Sequence, residues 1–253
     1  MSEDAAQFWI DRGNGEGDAA LSVTPNAKHA SCVAWARARL QDWTLDRLHR
    51  HGACFDHVVD LGCGFGDFTA VLGREAKRIT ACDVSPGFVE ATRQRLVAIG
   101  RADAQVYTSN IREFIDYQGA TVIYLGGVLM YLDDDGVAGV LRRADERLAP
   151  GGLIAARDWC AMGFARQRQH RQPWFSVHRR PESCVRLFRD AGFEPVEMAS
   201  SLVIYAEQVP RELLRNDRAA RAAAWLPRLV ARAATSLVTR GSVTFFFRRV
   251  GEA

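Results

Sequence analysis

Hydrophobic and polar positions alternate between helical and extended spacing along most of this chain. Apolar residues recur at helical spacing over 32–49, which predicts an amphipathic helix. Residues 57–61 are β-branched and precede a glycine cluster, which predicts a strand. Further strands are predicted at 79–82, 104–107, 121–125 and 152–157, and helices at 68–76, 87–99, 135–148 and 181–191. This alternation predicts an α/β fold with a parallel sheet and helices on both faces.

The two ends of the chain depart from that rhythm. A strand predicted at 195–204 is followed by two helical stretches and then by an aromatic strand at 242–250. No ordinary crossover helix precedes this last strand, which favours an antiparallel position for it. We expect one domain over 1–253, made of an N-terminal arm or lid (1–30), a core (31–208), a helical cap insertion (209–241) and the last strand (242–250).

Composition narrows the class of protein. The chain has 253 residues, 48% of them hydrophobic, enough for one core, and its net charge of +3 is too small to indicate a nucleic-acid partner. No targeting signal or run long enough to span a membrane is visible, so we expect a cytoplasmic protein. The cysteines form no C-x-x-C pair and the histidines do not fall at metal-ligand spacing, so we expect no metal site.

A glycine-rich loop follows the first predicted strand, in the sequence VVDLGCGFGDFT. Glycines there allow a tight turn and close approach of a ligand at the carboxyl end of the strand. A dinucleotide pattern would need glycine in place of Asp67, which argues against a nicotinamide oxidoreductase. Asp60 and Asp67 instead favour a ligand that carries an ammonium and a sulfonium. Asp83 ends the second strand, where it can accept from two ribose hydroxyls or, alternatively, cap a helix beside Ser85.

Five segments together carry a family resemblance: DLGCGFG, CDVS, SNI, LGGVLMYLDDD and LAPGG, spread over 57–196. The series resembles that of the class I S-adenosylmethionine-dependent methyltransferases. The resemblance implies a Rossmann-like, seven-stranded, mostly parallel sheet with an antiparallel last strand, and S-adenosyl-L-methionine as cofactor. It also implies these contacts: the methionine portion at Asp60, Gly62, Cys63, Gly64 and Gly66, the ribose at Asp83, adenine at Val84, Asn110 and the Ile111 amide, and the ammonium at the Gly126 carbonyl.

Residues for the methyl acceptor are expected on loops at the carboxyl ends of later strands. Tyr131 follows strand four and Asp158 follows strand five. In protein amino-terminus methyltransferases, which these segments resemble, a histidine and an aspartate hold those positions. We expect Asp158 to bind or deprotonate the nucleophile and Tyr131 to orient it, with His178 in reserve. Two other interpretations stay open: Tyr131 covers the cofactor only, and Asp158 pairs with an arginine of its own loop.

The connection over 157–180 is long and rich in aromatic, arginine and histidine residues, so we expect Trp159, His170 and Trp174 to contact the substrate. The cofactor carboxylate meets an arginine after the glycine loop in the amino-terminus family, but Asp67 stands there in this chain. Arg12 is therefore our first candidate for that cation, ahead of Lys28.

The aromatic loops predict a small-molecule acceptor, a metabolite or sugar-like compound methylated on O or N. The alternatives are a protein or peptide amino terminus as acceptor, and a binding module that keeps the fold without catalysis.

Overall fold

The computed structural model describes residues 3–15, 30–163, 165–170, 175–200 and 240–250. The helices are α1 (Glu3–Asn14), α2 (Ala30–Arg50), α3 (Asp67–Glu75), α4 (Pro86–Ala98), α5 (Asp134–Arg147) and α6 (Pro181–Asp190), with one 3-10 turn at Leu129–Tyr131. The strands are β1 (His57–Leu61), β2 (Arg78–Asp83), β3 (Gln105–Thr108), β4 (Ala120–Gly126), β5 (Leu148–Ala161), β6 (Arg168–His170), β7 (Ser176–His178), β8 (Phe193–Ser200) and β9 (Arg240–Arg249).

Seven of these strands form one sheet in the order β3-β2-β1-β4-β5-β9-β8. The strands from β3 to β5 are mutually parallel, whereas β9 runs antiparallel to both of its neighbours, β5 and β8. The predicted fold class is therefore confirmed, including the antiparallel last strand. The predicted helical insertion, 209–241, lies outside the described residues except for its last two, which begin β9.

Two apolar clusters cover the sheet, one on each face. One packs Ile123 and Ile154 against α5 and α6, and the other packs Val58 and Val122 against α2, α3 and α4. Strand β9 contributes to both, because alternate side chains of a strand point to opposite faces: Phe245 and Phe247 join the first cluster and Phe246 the second. The aromatic run of β9 is thus a strand buried on both sides.

Strand β5 is longer than predicted, because its second half pairs with β9 along the whole length from Leu153 to Ala161. The expectation that Asp158 and Trp159 lie in a loop after strand five is therefore wrong, since both lie within the strand. The connection that follows also contains a hairpin, β6 with β7, that was not predicted.

The N-terminal segment contains a helix where the sequence showed no clear periodicity. Helix α1 packs Ala5 and Trp9 against Met130 and Tyr131, and Gly13 lies against the start of α4. A helix of this length is marginal in isolation, so its stability comes from these tertiary contacts rather than from its own sequence pattern. As a result, α1 spans the region between α4 and the end of β4.

Candidate active site

The glycine loop between β1 and α3 is held in a conformation that favours glycine. Gly62, Gly64 and Gly66 have φ angles of 86°, 54° and 77°. A Cβ on Gly62 would collide with the side chain of Val128, and one on Gly66 would lie 2.8 Å from that of Thr92. The amides of Gly62 and Cys63 donate to the Cys82 carbonyl at 2.8 and 3.0 Å, which fixes the loop against β2. The loop therefore presents backbone, not side chains, to the carboxyl end of the sheet.

Asp83 lies buried at the end of β2, directly beside this loop. Its two carboxylate oxygens accept from the amides of Gly64 at 3.0 Å and Ser85 at 2.9 Å. Each oxygen keeps a second lone pair for a ligand hydroxyl. The bond from Ser85 also satisfies an amide at the start of α4, so the local capping role and the ribose role are compatible.

Asp60 is a second buried carboxyl next to the loop. It accepts a hydrogen bond from the Thr69 hydroxyl at 2.7 Å. Burial raises the pKa of Asp60 to about 7, and the nearby Asp83 raises it further, while Arg157 lowers it. Two buried carboxyls this close are stabilised by an added positive charge. Together with the vicinal-hydroxyl acceptors on Asp83, this site fits a nucleoside that carries an ammonium group.

Asp67 does not have the role expected for it. Its carboxylate forms ion pairs with Arg37 at 2.6 Å and with Arg95 at 2.8 Å. Its charge is therefore met within the chain, and the prediction that Asp67 favours a cationic ligand is wrong. Sequence spacing gave no signal for these partners, which lie on α2 and α4.

The residues expected around adenine and the ammonium lie at neighbouring strand ends. Val84 is half-buried beyond β2, and the Ile111 side chain is buried after β3. The side-chain oxygen of Asn110 accepts from the Arg112 amide at 3.0 Å, so one of its two lone pairs is used locally. Gly126 ends β4 opposite Arg157 of β5. The ligand contacts of these four residues stay predictions.

Tyr131 and Asp158 are both buried and lie near enough for the charge of Asp158 to act on the Tyr131 hydroxyl. Asp158 is 7% exposed and accepts from its neighbour's amide, Trp159 N, at 3.1 Å. Burial raises the pKa of Asp158 to about 7, whereas Arg179 and Arg157 lower it. Burial also raises the pKa of Tyr131, and the charge of Asp158 raises it further. At neutral pH, Asp158 is thus present in both its protonated and its ionised form, while Tyr131 keeps its proton.

Helix α1 covers this pair. The Trp9 ring stands edge-on to the Tyr131 ring with centroids 5.5 Å apart, and its centroid lies 6.3 Å from that of Phe88 at the start of α4. Arg12 lies on the same helix, its guanidinium 5.9 Å from the centre of the Phe8 ring. Sequence reasoning placed Arg12 in this region but missed Trp9, although the adjacent aromatic pair Phe8 and Trp9 was a usable signal.

The other expected substrate residues are less closely gathered. Trp159 is 48% exposed on β5, and His178 is half-buried on β7. The His170 side chain, Trp174 and Lys28 lie outside the described residues. The ion pair of Arg179, which follows β7, is to Asp134 at 2.8 Å rather than to Asp158.

None of the described helices is long and apolar enough to cross a bilayer. Within the same part of the chain, no group of three or more histidine, cysteine, aspartate or glutamate side chains is arranged to hold a metal ion.

Comparison with known proteins identifies a methyltransferase domain within the chain. Residues 59–154 match the model of a methyltransferase domain. A carboxy-S-adenosyl-L-methionine synthase of Photorhabdus laumondii is 31% identical over 102 residues, which cover 38% of this chain and 40% of that protein. A trans-aconitate 2-methyltransferase of Escherichia coli O157:H7 is 36% identical over 81 residues, 31% of this chain and 30% of that protein. The chain thus spans less than half the length of these curated relatives.

The likeness of the fold extends over nearly the whole chain. A geranyl diphosphate C-methyltransferase of Streptomyces coelicolor A3(2), solved with S-adenosyl-L-homocysteine, superimposes with a TM-score of 0.67. The match covers 98% of this chain and 99% of that one, at 14% sequence identity. Residues 59–154 thus match a methyltransferase domain in sequence, and nearly the whole chain shares the fold of that solved methyltransferase.

Proposed function

We propose that this protein transfers the methyl group of S-adenosylmethionine to an oxygen or nitrogen nucleophile of a small acceptor molecule. The observation that carries the proposal is the buried carboxyl of Asp158 near Tyr131, the residue on which helix α1 packs. A buried carboxyl whose pKa is about 7 suits a general base at neutral pH, because it is partly ionised and still basic enough to take a proton. O–H and N–H nucleophiles are the acceptors that need such a base.

The cofactor is held, in this proposal, by residues on one edge of the sheet. Asp83 accepts from the ribose hydroxyls, and Asp60 with the Gly126 carbonyl meets the ammonium. Once bound, S-adenosylmethionine supplies an electrophilic methyl group on a sulfonium. Arg12 on α1 remains our candidate for the cofactor carboxylate.

Each residue on the acceptor side has a separate task. Asp158 removes the proton of the nucleophile, and Tyr131, whose raised pKa keeps its hydroxyl protonated, donates a hydrogen bond that orients the acceptor. Trp9 closes the site above Tyr131 and excludes water. Methyl transfer is an in-line displacement, so fixing the nucleophile on the axis of the breaking bond contributes a large part of the rate.

A small acceptor is supported by two facts. Helix α1 lies directly against the Tyr131 turn, so this end of the sheet is covered by the chain itself, as is typical of a small-molecule site. Two of the matched proteins have names that refer to small molecules, trans-aconitate and geranyl diphosphate.

Radiolabelled cofactor incubated with fractionated extract of the source organism tests the proposal, with labelled products identified by mass spectrometry. We expect a labelled small molecule that is absent when the Asp158→Asn variant is used. Label carried only by protein would contradict the small acceptor. A protein that binds the cofactor in calorimetry but labels no fraction would contradict the proposed activity.

A further inference from the structure

Arg179, directly after β7, is an arginine buried where no function has been assigned. It is 3% exposed, and a guanidinium that deep must have its donors satisfied. Its Nε donates to the Asp134 carboxylate at 2.8 Å, its Nη1 to the Leu129 carbonyl at 3.0 Å, and its Nη2 to the Leu132 carbonyl at 2.6 Å. All three nitrogens of the fork are therefore used on one short stretch of chain.

That stretch is the 3-10 turn that carries Tyr131. Within the turn, the Tyr131 amide donates to Val128 and the Leu132 amide to Leu129, both at 3.1 Å. A single 3-10 turn has few bonds of its own and poor hydrogen-bond geometry. The two carbonyls bound by Arg179 lie on either side of Tyr131, so the guanidinium fixes the backbone from which the Tyr131 side chain projects.

The same side chain also lies next to Asp158. Arg179, Asp158, Leu129 and Val177 line one small cavity between β5, β7 and the 3-10 turn. The positive charge of Arg179 opposes the effect of burial on the pKa of Asp158. Arg179 therefore bonds to the turn that carries Tyr131 and also lies beside Asp158.

We propose that Arg179 is a positioning residue that clamps the Tyr131 turn beside Asp158. The inference rests on the proposed function, in which Tyr131 and Asp158 handle the acceptor. By this inference, the connection after β5 fixes the position of Tyr131, in addition to any contact that it makes with substrate. Lysine cannot replace this clamp, because one ammonium does not reproduce a planar fork with three fixed directions.

Two measurements that need no acceptor test the clamp. Hydrogen exchange followed by mass spectrometry reports on the amides of 128–134, and a carbon-13 NMR titration reports the pKa of Asp158, assigned by its loss in Asp158→Asn. The variants are Arg179→Gln and Arg179→Lys. Arg180→Gln is the matched control, since Arg180 is adjacent but binds Glu182 and the carbonyls of Gly163 and Ala165.

In Arg179→Gln we expect exchange over 128–134 to become at least about tenfold faster and the pKa of Asp158 to rise by about one unit. The charged and titratable groups that face Asp158 in the described chain are Arg179, Arg157, Tyr131, Cys160 and Cys184, and only Arg179 changes. In Arg179→Lys we expect the faster exchange with little change in that pKa, because the charge is kept and the fork is lost.

Three results would overturn the clamp. One is unchanged exchange over 128–134 in both Arg179 variants, and another is an equal acceleration in Arg180→Gln. The third is exchange in Arg179→Lys as slow as in the parent, which would show that only the positive charge of Arg179 matters and not its planar fork. If Arg179→Gln does not fold, Arg179→Lys carries the exchange test alone. None of these results depends on finding an acceptor, so failure of the clamp and failure of the proposed function are distinguishable.

Discussion

Replacing Asp158, the proposed general base, with asparagine should make the protein more stable at neutral pH. The carboxyl has a pKa of about 7 in the folded protein against an ordinary value of 3.8, a rise of roughly three units. Each unit corresponds to about 1.4 kcal/mol, so ionised Asp158 opposes folding by about 4 kcal/mol. Asparagine has a similar shape, keeps an oxygen to accept from the Trp159 amide, and does not ionise.

The sign of the effect depends on pH. Because the folded pKa is raised, the contribution of Asp158 to stability is fully present below about pH 4 and is lost as the pH rises to about 7. Between pH 5 and pH 8 the advantage of Asp158→Asn over the parent should therefore grow by about 3 kcal/mol. For a chain of this size that corresponds to a relative gain in Tm of about 6 °C.

Thermal unfolding of parent and variant at pH 5 and pH 8 measures this growth. Contributions that do not depend on pH cancel in the comparison, and so does the titration of Asp60, which both proteins share. Asp42→Asn, at an exposed site on α2, is the control and should show no such growth. A Tm difference between Asp158→Asn and the parent that is equal at the two pH values would refute the reasoning from burial. With an acceptor in hand, the same variant should turn over about a hundredfold more slowly or worse, with cofactor affinity nearly unchanged.

Three further changes test the cofactor side, each followed by calorimetric binding of S-adenosylmethionine. Asp83→Ala should weaken binding at least about tenfold, since buried hydroxyls lose a charged acceptor, and unchanged affinity would exclude the ribose role. Gly62→Ala should abolish binding and lower Tm, because the new Cβ would combine a strained positive φ with a collision with Val128. Gly52→Ala is the control: its φ is 69° but the space around its Cβ is open, so its loss of Tm measures the strain of a positive φ alone. Arg12→Ala should weaken binding about tenfold, as should removal of α1, and equal affinity in both would exclude the arm from cofactor binding.

The sequence predicted the parts of the fold that depend on local periodicity. Strand β1 was predicted at its observed bounds, and α6 to within one residue. Features that depend on partners distant in the chain were missed. Helix α1 is stabilised by docking of Trp9, the outer half of β5 by pairing with β9, and the charge of Asp67 is met by arginines on two other helices. Such contacts leave no periodic trace in the segments that make them.

The same division applies to the site. The glycine loop and Asp83 were located correctly because they stand at strand ends, where the order of elements fixes their position, whereas Asp158 was expected after strand five and lies within β5. Arg179 was passed over, although its neighbour His178 was considered, because nothing in a local run of basic residues distinguishes a buried guanidinium from a solvated one.

The central position of β9 has a consequence for how the sheet assembles. Among the described strands, β8 joins the sheet only through β9, which begins at Arg240, far along the sequence from the end of β8 at Ser200. Until β9 arrives, β5 is an edge strand with a row of unpaired backbone groups, and the apolar residues Phe245–Phe247 are still outside the core. Because β9 and β5 are far apart in sequence, their pairing forms slowly, and we expect the state with an unprotected β5 edge to be the form most prone to aggregate by strand addition.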